Sequence, residues 1–331
     1  MTVNKQWIYV RKPNGEVGPE HFEPREAAMP EPGPGEALVR TTLLSIDPAS
    51  RAWMAGRTYR AQLEPGEIMA GWGLGEVVKS NSDRVAPGDL VSGEFGWQQY
   101  IALPAGKLIK ENKALKPEHL LGVLGITGLT AYFGMLDVGR PQPGETVLVS
   151  GAAGAVGCIA GQIAKLAGCR VVGTTGGADK CAWLTSELGF DAAIDYKAGG
   201  IHRQLKAICP EGVDVYFDNT GGEVLDAALA RMNLFGRVVC CGNISQYNAT
   251  TPAGGPAGVP GFLVTKRIRM EGFVVMDFYN RRQHAEAMLG KWVSDGKLKP
   301  AVDIVEGFDN MPKALAGMFA GKNRGKLAVR V

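Results

Sequence analysis

No block of basic or acidic residues interrupts the 331-residue chain, whose 36 Lys and Arg against 33 Asp and Glu leave a net charge of +3. A nucleic-acid partner needs a basic stripe or tail, so that class is set aside. Long apolar runs are missing too. The charge-free stretch from Thr146 to Ala164 is broken by glycine and polar groups, and no membrane span is expected. The N-terminal run MTVNKQWIYVRK has no apolar signal core, which makes the cytoplasm the expected compartment. Cysteine is absent before Cys158, and Cys158, Cys169, Cys181, Cys209, Cys240 and Cys241 form neither a CxxC pair nor a metal-ligand spacing; they read as reduced core residues. His21, His119, His202 and His284 show no HxxxH or HExxH pattern, so zinc and a histidine triad have no support.

Glycine, by contrast, is abundant: 46 residues, roughly twice the usual share of about 7%. With 19 prolines the chain still falls short of a low-complexity composition, and 45% hydrophobic residues are enough to fold it. The glycines therefore mark positive φ or close backbone approach. Residues 151–200 hold 11 of them, against 4 in the first fifty.

Up to about residue 120, short strand-like runs at 37–40, 75–78, 89–92 and 99–103 alternate with turn signals such as PGPG and Pro87-Gly88, as in an antiparallel β-barrel. From Glu145 the period changes to alternating strands and helices. Strands are expected at 146–150, 170–174, 192–196, 213–217, 237–241 and 272–275. The helices between them include one with Val156, Ile159, Ile163 and Leu166 on one face, and others at 179–188, 201–208, 223–232 and 278–294. The result is an α/β chain with a six-stranded doubly wound parallel sheet. The apolar tail LysLeuAlaValArgVal returns to the first domain, giving domains 1–122 plus 301–331 and 123–300.

Ser150 is followed by GAAGAVG, directly after a strand and before a helix. Gly151 suits the tight turn, Gly154 lets backbone approach a pyrophosphate, and Gly157 lets helix pack on strand, with the phosphate on the helix N-terminus. The second strand then ends Thr174-Thr175-Gly176-Gly177-Ala178-Asp179-Lys180. A carboxylate to accept from a ribose 2′-hydroxyl is missing at the strand end, and an ammonium follows, so NADP is favoured over NAD. Lys180 is either that ligand or a solvated helix lysine, and Asp179 is an alternative N-cap.

The runs at 125–134, 150–169, 176–181, 188–197, 214–222, 241–248 and 321–326, among them CysGlyAsnIleSerGlnTyrAsn and GlyLysAsnArgGlyLys, resemble the zinc-independent medium-chain dehydrogenase/reductases. Within them they are similar to the NADPH-dependent double-bond reductases of prostaglandins, 2-alkenals and curcumin. The resemblance implies a GroES-like β-barrel domain beside a Rossmann domain, a homodimer, and reduction of the C=C bond of α,β-unsaturated ketones and aldehydes. It also implies cofactor roles, pyrophosphate on Gly154, Ala155, Val156 and Gly157, and 2′-phosphate on Lys180 and Tyr196 beside Gly177. Ribose and nicotinamide would meet Asn219, Cys241, Gly242, Asn243, Ile244, Ser245, Gln246, Tyr247, Phe273, Val274, Val275 and Asn323, with Thr127 near the carboxamide.

Where the family often reads Asp-Pro-Tyr-Met-Arg, this chain reads Asp47-Pro48-Ala49-Ser50-Arg51, which implies an opened pocket or a lost hydroxyl. Asp47, Arg51, Trp53, Tyr59 and Trp72 are the expected substrate-pocket residues. Trp97 adds flat surface, and Trp72 draws an unusual backbone path from its flanking glycines. In metal-free chemistry NADPH supplies the hydride to the β-carbon, and the protein is asked for donors at the developing enolate oxygen. Tyr247 is the choice, with a ribose 2′-hydroxyl as the other donor. A quinone reductase and a non-catalytic NADPH-binding structural protein are the competing readings. The run Gly254 to Gly261 is expected to form a mobile loop over the cleft.

Overall fold

The turns at Pro34-Gly35 and Pro87-Gly88 place their glycines at φ +77° and +86°. That left-handed region is open to glycine without a Cβ penalty, so short strands end cleanly there. The structure, a computed structural model, describes residues 3–251 and 256–331. The chain divides into two compact units, one of Met1–Leu121, Val302–Asn323 and Leu327–Val331, the other of Gly122–Ala301 and Arg324–Lys326.

In the first unit β1 (Val3–Tyr9) and β2 (Phe22–Ala28) form an antiparallel hairpin. The remaining strands are β3 (Glu36–Ile46), β4 (Trp72–Ser80), β5 (Leu90–Glu94), β6 (Tyr100–Pro104) and β7 (Ile109–Lys110), with α1 (Ala49–Ala55) and α2 (Pro117–Leu121). Two strands from the far end of the chain join their sheet: the order is β14-β15-β3-β4-β5-β7, with β6 also on β3, where β14 is Val302–Glu306 and β15 is Lys326–Arg330. Tyr9, Val39, Leu44, Met54, Met69, Phe95, Trp97 and Val329 lie in its core.

The second unit begins with α3 (Ile126–Phe133) and carries β8 (Thr146–Val149), β9 (Arg170–Thr175), β10 (Ala192–Asp195), β11 (Val213–Asp218), β12 (Met232–Cys240) and β13 (Arg269–Gly272). Their order is β10-β9-β8-β11-β12-β13, every pair parallel. Third, second, first, fourth, fifth, sixth is the doubly wound order, whose ligand crevice lies beyond the carboxyl ends of β8 and β11. The helices are α4 (Gly157–Leu166), α5 (Ala178–Ser186), α6 (Ile201–Ile208), α7 (Gly222–Arg231), α8 (Val259–Lys266) and α9 (Arg282–Ser294); α10 (Met311–Phe319) belongs to the first unit.

The α/β class is as the sequence implies, and four details differ. The sixth strand ends at Gly272, because β12, its partner, ends at Cys240, the residue opposite; a 3₁₀ segment, Val275–Arg281, precedes α9. α4 is not one-sided: Gly157 to Ala164 are all buried, small residues letting both flanks pack, and Leu166 is exposed. Cys181, Cys240 and Cys241 are only half-buried, although all six cysteines are free thiols. Of the expected loop, Gly254 and Gly255 lie outside the described residues, and Val259, Pro260 and Gly261 open α8, with proline in its first turn, where no N–H partner is lost.

Candidate functional site

The turn after β8 is built by three glycines. Gly151 takes φ +56°, and its carbonyl accepts from Gly154 N at 2.9 Å. A Cβ on Gly157 would collide with the Gly151 carbonyl oxygen and lie 2.8 Å from Ala152 Cα, so only glycine brings the start of α4 this close to the turn. Val156, the N-cap of α4, gives no side-chain cap. The first N–H groups of a helix without a side-chain cap, with the positive end of its dipole, favour an anion.

Across the crevice a buried carboxylate joins two strand ends, those of β8 and β11. Asp218 Oδ1 accepts from Ser150 Oγ (3.1 Å), Tyr216 Oη (2.7 Å), Thr220 N (2.9 Å) and Gly221 N (2.8 Å). Ser150 Oγ accepts in turn from Asn219 N at 2.9 Å, and Asn219 Nδ2 donates to Ser150 O at 2.7 Å. Burial beside this carboxylate pushes the Tyr216 phenol well above its ordinary range. Asp218 O accepts from Cys241 N and Gly242 N, Asn219 O from Ile244 N, and Thr220 O from Ser245 N. The 219–222 and 241–247 segments are thus laced together, and a Cβ on Gly221 would collide with Asn243 Oδ1. Asp218, Ser150 and Tyr216 were not singled out by sequence reasoning. The only signal for them is a carboxylate at the end of an apolar strand, ambiguous until the strands are placed.

Tyr247 caps the 3₁₀ turn Ile244–Gln246 on this laced segment. Burial pushes its phenol up, the Asn243 backbone N–H partly offsetting, so it stays protonated through neutral pH. At the ends of β9 and β10, Tyr196 is 45% exposed and its hydroxyl stands 3.1 Å from where a Cβ on Gly176 would be. Gly177, at φ +97°, is the N-cap of α5, and Asp179 and Lys180 follow inside the helix; Asp179 is therefore not the cap.

Several expected ligands have other partners. Thr127 is buried and donates to Gly122 O at 2.9 Å. Phe273 packs edge-on to Phe278, itself stacked on Phe133 at 4.8 Å, and Val275 is buried; these residues, with Val274, follow the last strand rather than form it. Asn323 closes the Val302–Asn323 segment of the first unit.

The expected substrate residues all lie in the first unit. Asp47 accepts from Ser45 Oγ. Arg51 is buried, and its Nη2 donates to the Pro13 and Gly15 carbonyls at 3.2 and 3.1 Å, anchoring a loop. Trp53 lies under the Arg60 guanidinium, 4.5 Å from its ring centre. Tyr59 is exposed in an open depression of about 450 Å³ lined by Arg57, Thr58, Arg60 and Gln62. Trp97 is a core residue packed on Phe22. The glycines beside Trp72 do not bend the chain: neither takes positive φ, and a Cβ on Gly71 would lie 2.9 Å from the Trp97 ring, while one on Gly73 would press on Phe95.

The architecture is that of a dehydrogenase-type oxidoreductase, a β-rich unit with a dinucleotide-binding unit. Residues 5–110 match the family described as N-terminal domain of oxidoreductase, and 155–291 match zinc-binding dehydrogenase. The chain is 41% identical to the NADPH-dependent curcumin reductase of Escherichia coli, over 99% of this chain and 97% of that one. It is 40% identical to prostaglandin reductase 1 of Bos taurus, over 98% of each. The structure of CurA from Vibrio vulnificus in complex with NADPH superposes with a TM-score of 0.95 at 38% identity, covering 99% of each chain. The chain belongs to the double-bond reductase branch of the medium-chain dehydrogenase/reductases. Among the described residues no group of three or more His, Cys, Asp or Glu could hold a metal ion.

Proposed function

We propose that this protein reduces the C=C bond of α,β-unsaturated ketones and aldehydes with NADPH. The observation that carries the reading is the lacing of the Tyr247 segment onto Asn219–Gly222 at the crevice, beside a glycine turn and a helix N-terminus that fit a dinucleotide. Similarity to curcumin and prostaglandin reductases over nearly the whole chain supports it.

The cradle fits the cofactor: Gly154, Ala155, Val156 and Gly157 take the pyrophosphate on the α4 N-terminus, and Lys180 and Tyr196 take the 2′-phosphate. Asn219 and Cys241 to Gln246 form the wall for ribose and nicotinamide. NADPH, when bound, supplies a hydride to the β-carbon of the substrate. As that bond forms, the alkene electron pair shifts and charge gathers on the carbonyl oxygen as an enolate. Tyr247 Oη donates to that oxygen, stabilising the transition state more than the ground state. A proton then reaches the α-carbon, through Tyr247 or water, to give the saturated carbonyl compound.

Tyr247→Phe should lower kcat/KM for enones at least about tenfold while NADPH Kd stays within about twofold, read by NADPH absorbance and fluorescence titration. A change in kcat/KM below twofold removes the phenol from the chemistry. A screen over 2-alkenals, aryl enones and quinones tests the substrate class, and preferential quinone turnover would overturn it.

The cytosol is the proposed compartment, where the six free thiols stay reduced. A homodimer is proposed through β13, the end strand of its sheet, flanked by exposed Leu234, Phe235 and Val264. Phe235 holds φ +62° under the Arg267 guanidinium, an uncommon conformation for a bulky side chain. Light scattering at twice the chain mass is the expected result.

A further inference from the structure

Lys197 follows Tyr196 in the 3₁₀ turn Tyr196–Ala198 after β10, and the reading above does not use it. Its side chain runs back over the Gly176-Gly177 turn: a Cβ placed on Gly176 would lie 2.8 Å from Lys197 Cε and 3.2 Å from its Cδ, with Tyr196 Oη at 3.1 Å. Two side chains of the β10 turn therefore converge on one glycine at the end of β9, the strand end where the nucleotide's ribose is recognised in this fold. Gly176 takes no positive φ, and a side chain there would displace these two flexible groups from over the turn. Lys197 is exposed, and its ammonium has no acidic partner among the described residues.

The turn is fixed from below. Asp195, opposite Thr175 in the β9–β10 register, accepts from both Gly177 N and Lys197 N at 2.9 Å through the same oxygen, Oδ1. A carboxylate near a 2′-phosphate would ordinarily repel it. Here the charge faces two backbone donors, one in each loop, and joins the loop that begins α5 to the loop that carries Tyr196 and Lys197.

We infer that Lys197 provides a second ammonium to the 2′-phosphate of NADPH and that Asp195 positions it by clamping the two loops. The inference rests on the placement of the 2′-phosphate at Lys180 and Tyr196. The recognition is then shared between two cations on different elements, and the phosphate completes a cluster that already has its shape.

The test is the dissociation constant of NADPH and of NADH for the intact protein, by fluorescence titration at low and high salt. Lys197→Gln should raise the NADPH constant about three- to tenfold, leave NADH within twofold, and flatten the salt dependence for NADPH, since an exposed ion pair is screened. Asp195→Ala should erode the NADPH preference, whereas Asp195→Asn, which keeps an acceptor oxygen, should preserve it. Equal changes for both cofactors in Lys197→Gln, or none, overturn the role of Lys197; equal behaviour of Asp195→Ala and Asp195→Asn overturns the clamp. Lys180→Ala separates this from the parent reading. If it leaves the NADPH preference intact, the subsite itself is misplaced; if it abolishes the preference while Lys197→Gln does not touch it, only the second cation fails.

Discussion

The two halves of the cofactor crevice are built from opposite materials. Beyond β8, β11 and β12 the chain is buried and laced by backbone hydrogen bonds, with one carboxylate, Asp218, accepting four donors. Beyond β9 and β10 it is open, with Gly177 at positive φ, an exposed Tyr196 and an exposed Lys197. In the proposed placement, parts common to every nicotinamide dinucleotide would face the rigid half, where main-chain shape suffices. The phosphate that distinguishes NADPH would, in the same placement, face charged side chains that can be exchanged without disturbing the sheet. On that reading geometry would provide binding in one half, and charge would provide choice in the other.

Three substitutions press on that contrast. Gly157→Val strikes the part both halves depend on: its side chain would collide with the Gly151 carbonyl, pushing α4 off the turn. Loss of affinity for NADPH and NADH by about 100-fold or more, near 3 kcal/mol, together with a lower Tm, is the expected outcome. Asp218→Ala leaves four donors without their acceptor in a buried place; urea unfolding should show a loss of about 3 kcal/mol, with both cofactors weakened alike. Lys180→Ala should have the smallest effect and the most selective: NADPH Kd raised about tenfold, NADH within twofold, and Tm unmoved. If Asp218→Ala instead discriminated between the cofactors, the division of labour would not hold.

How much of this was legible in the sequence follows from range. The glycine turn is local, three glycines between an apolar strand and a helix, and could be read directly. The doubly wound order followed from the alternation of strands and helices, since handedness and short connections leave few arrangements. Asp218 was invisible because its meaning depends on Ser150 and Cys241, brought to it only by parallel pairing. The glycines at 71 and 73 were misjudged for the same reason: their neighbours Trp97 and Phe95 lie more than twenty residues away. The last strand was displaced by three residues because its end is set by β12, and nothing in its own run marks it.

The final strand has a consequence for how the protein is made. β15 lies between β14 and β3, with Leu327 opposite Ile46 and Arg330 opposite Leu43. A ribosome therefore releases the parallel sheet complete in its strands, while the antiparallel sheet, begun three hundred residues earlier, still waits for an interior strand. Until β15 is made, the Leu43–Ile46 stretch of β3 offers an open edge to any passing strand, and β15 covers that edge against aggregation of the nascent chain.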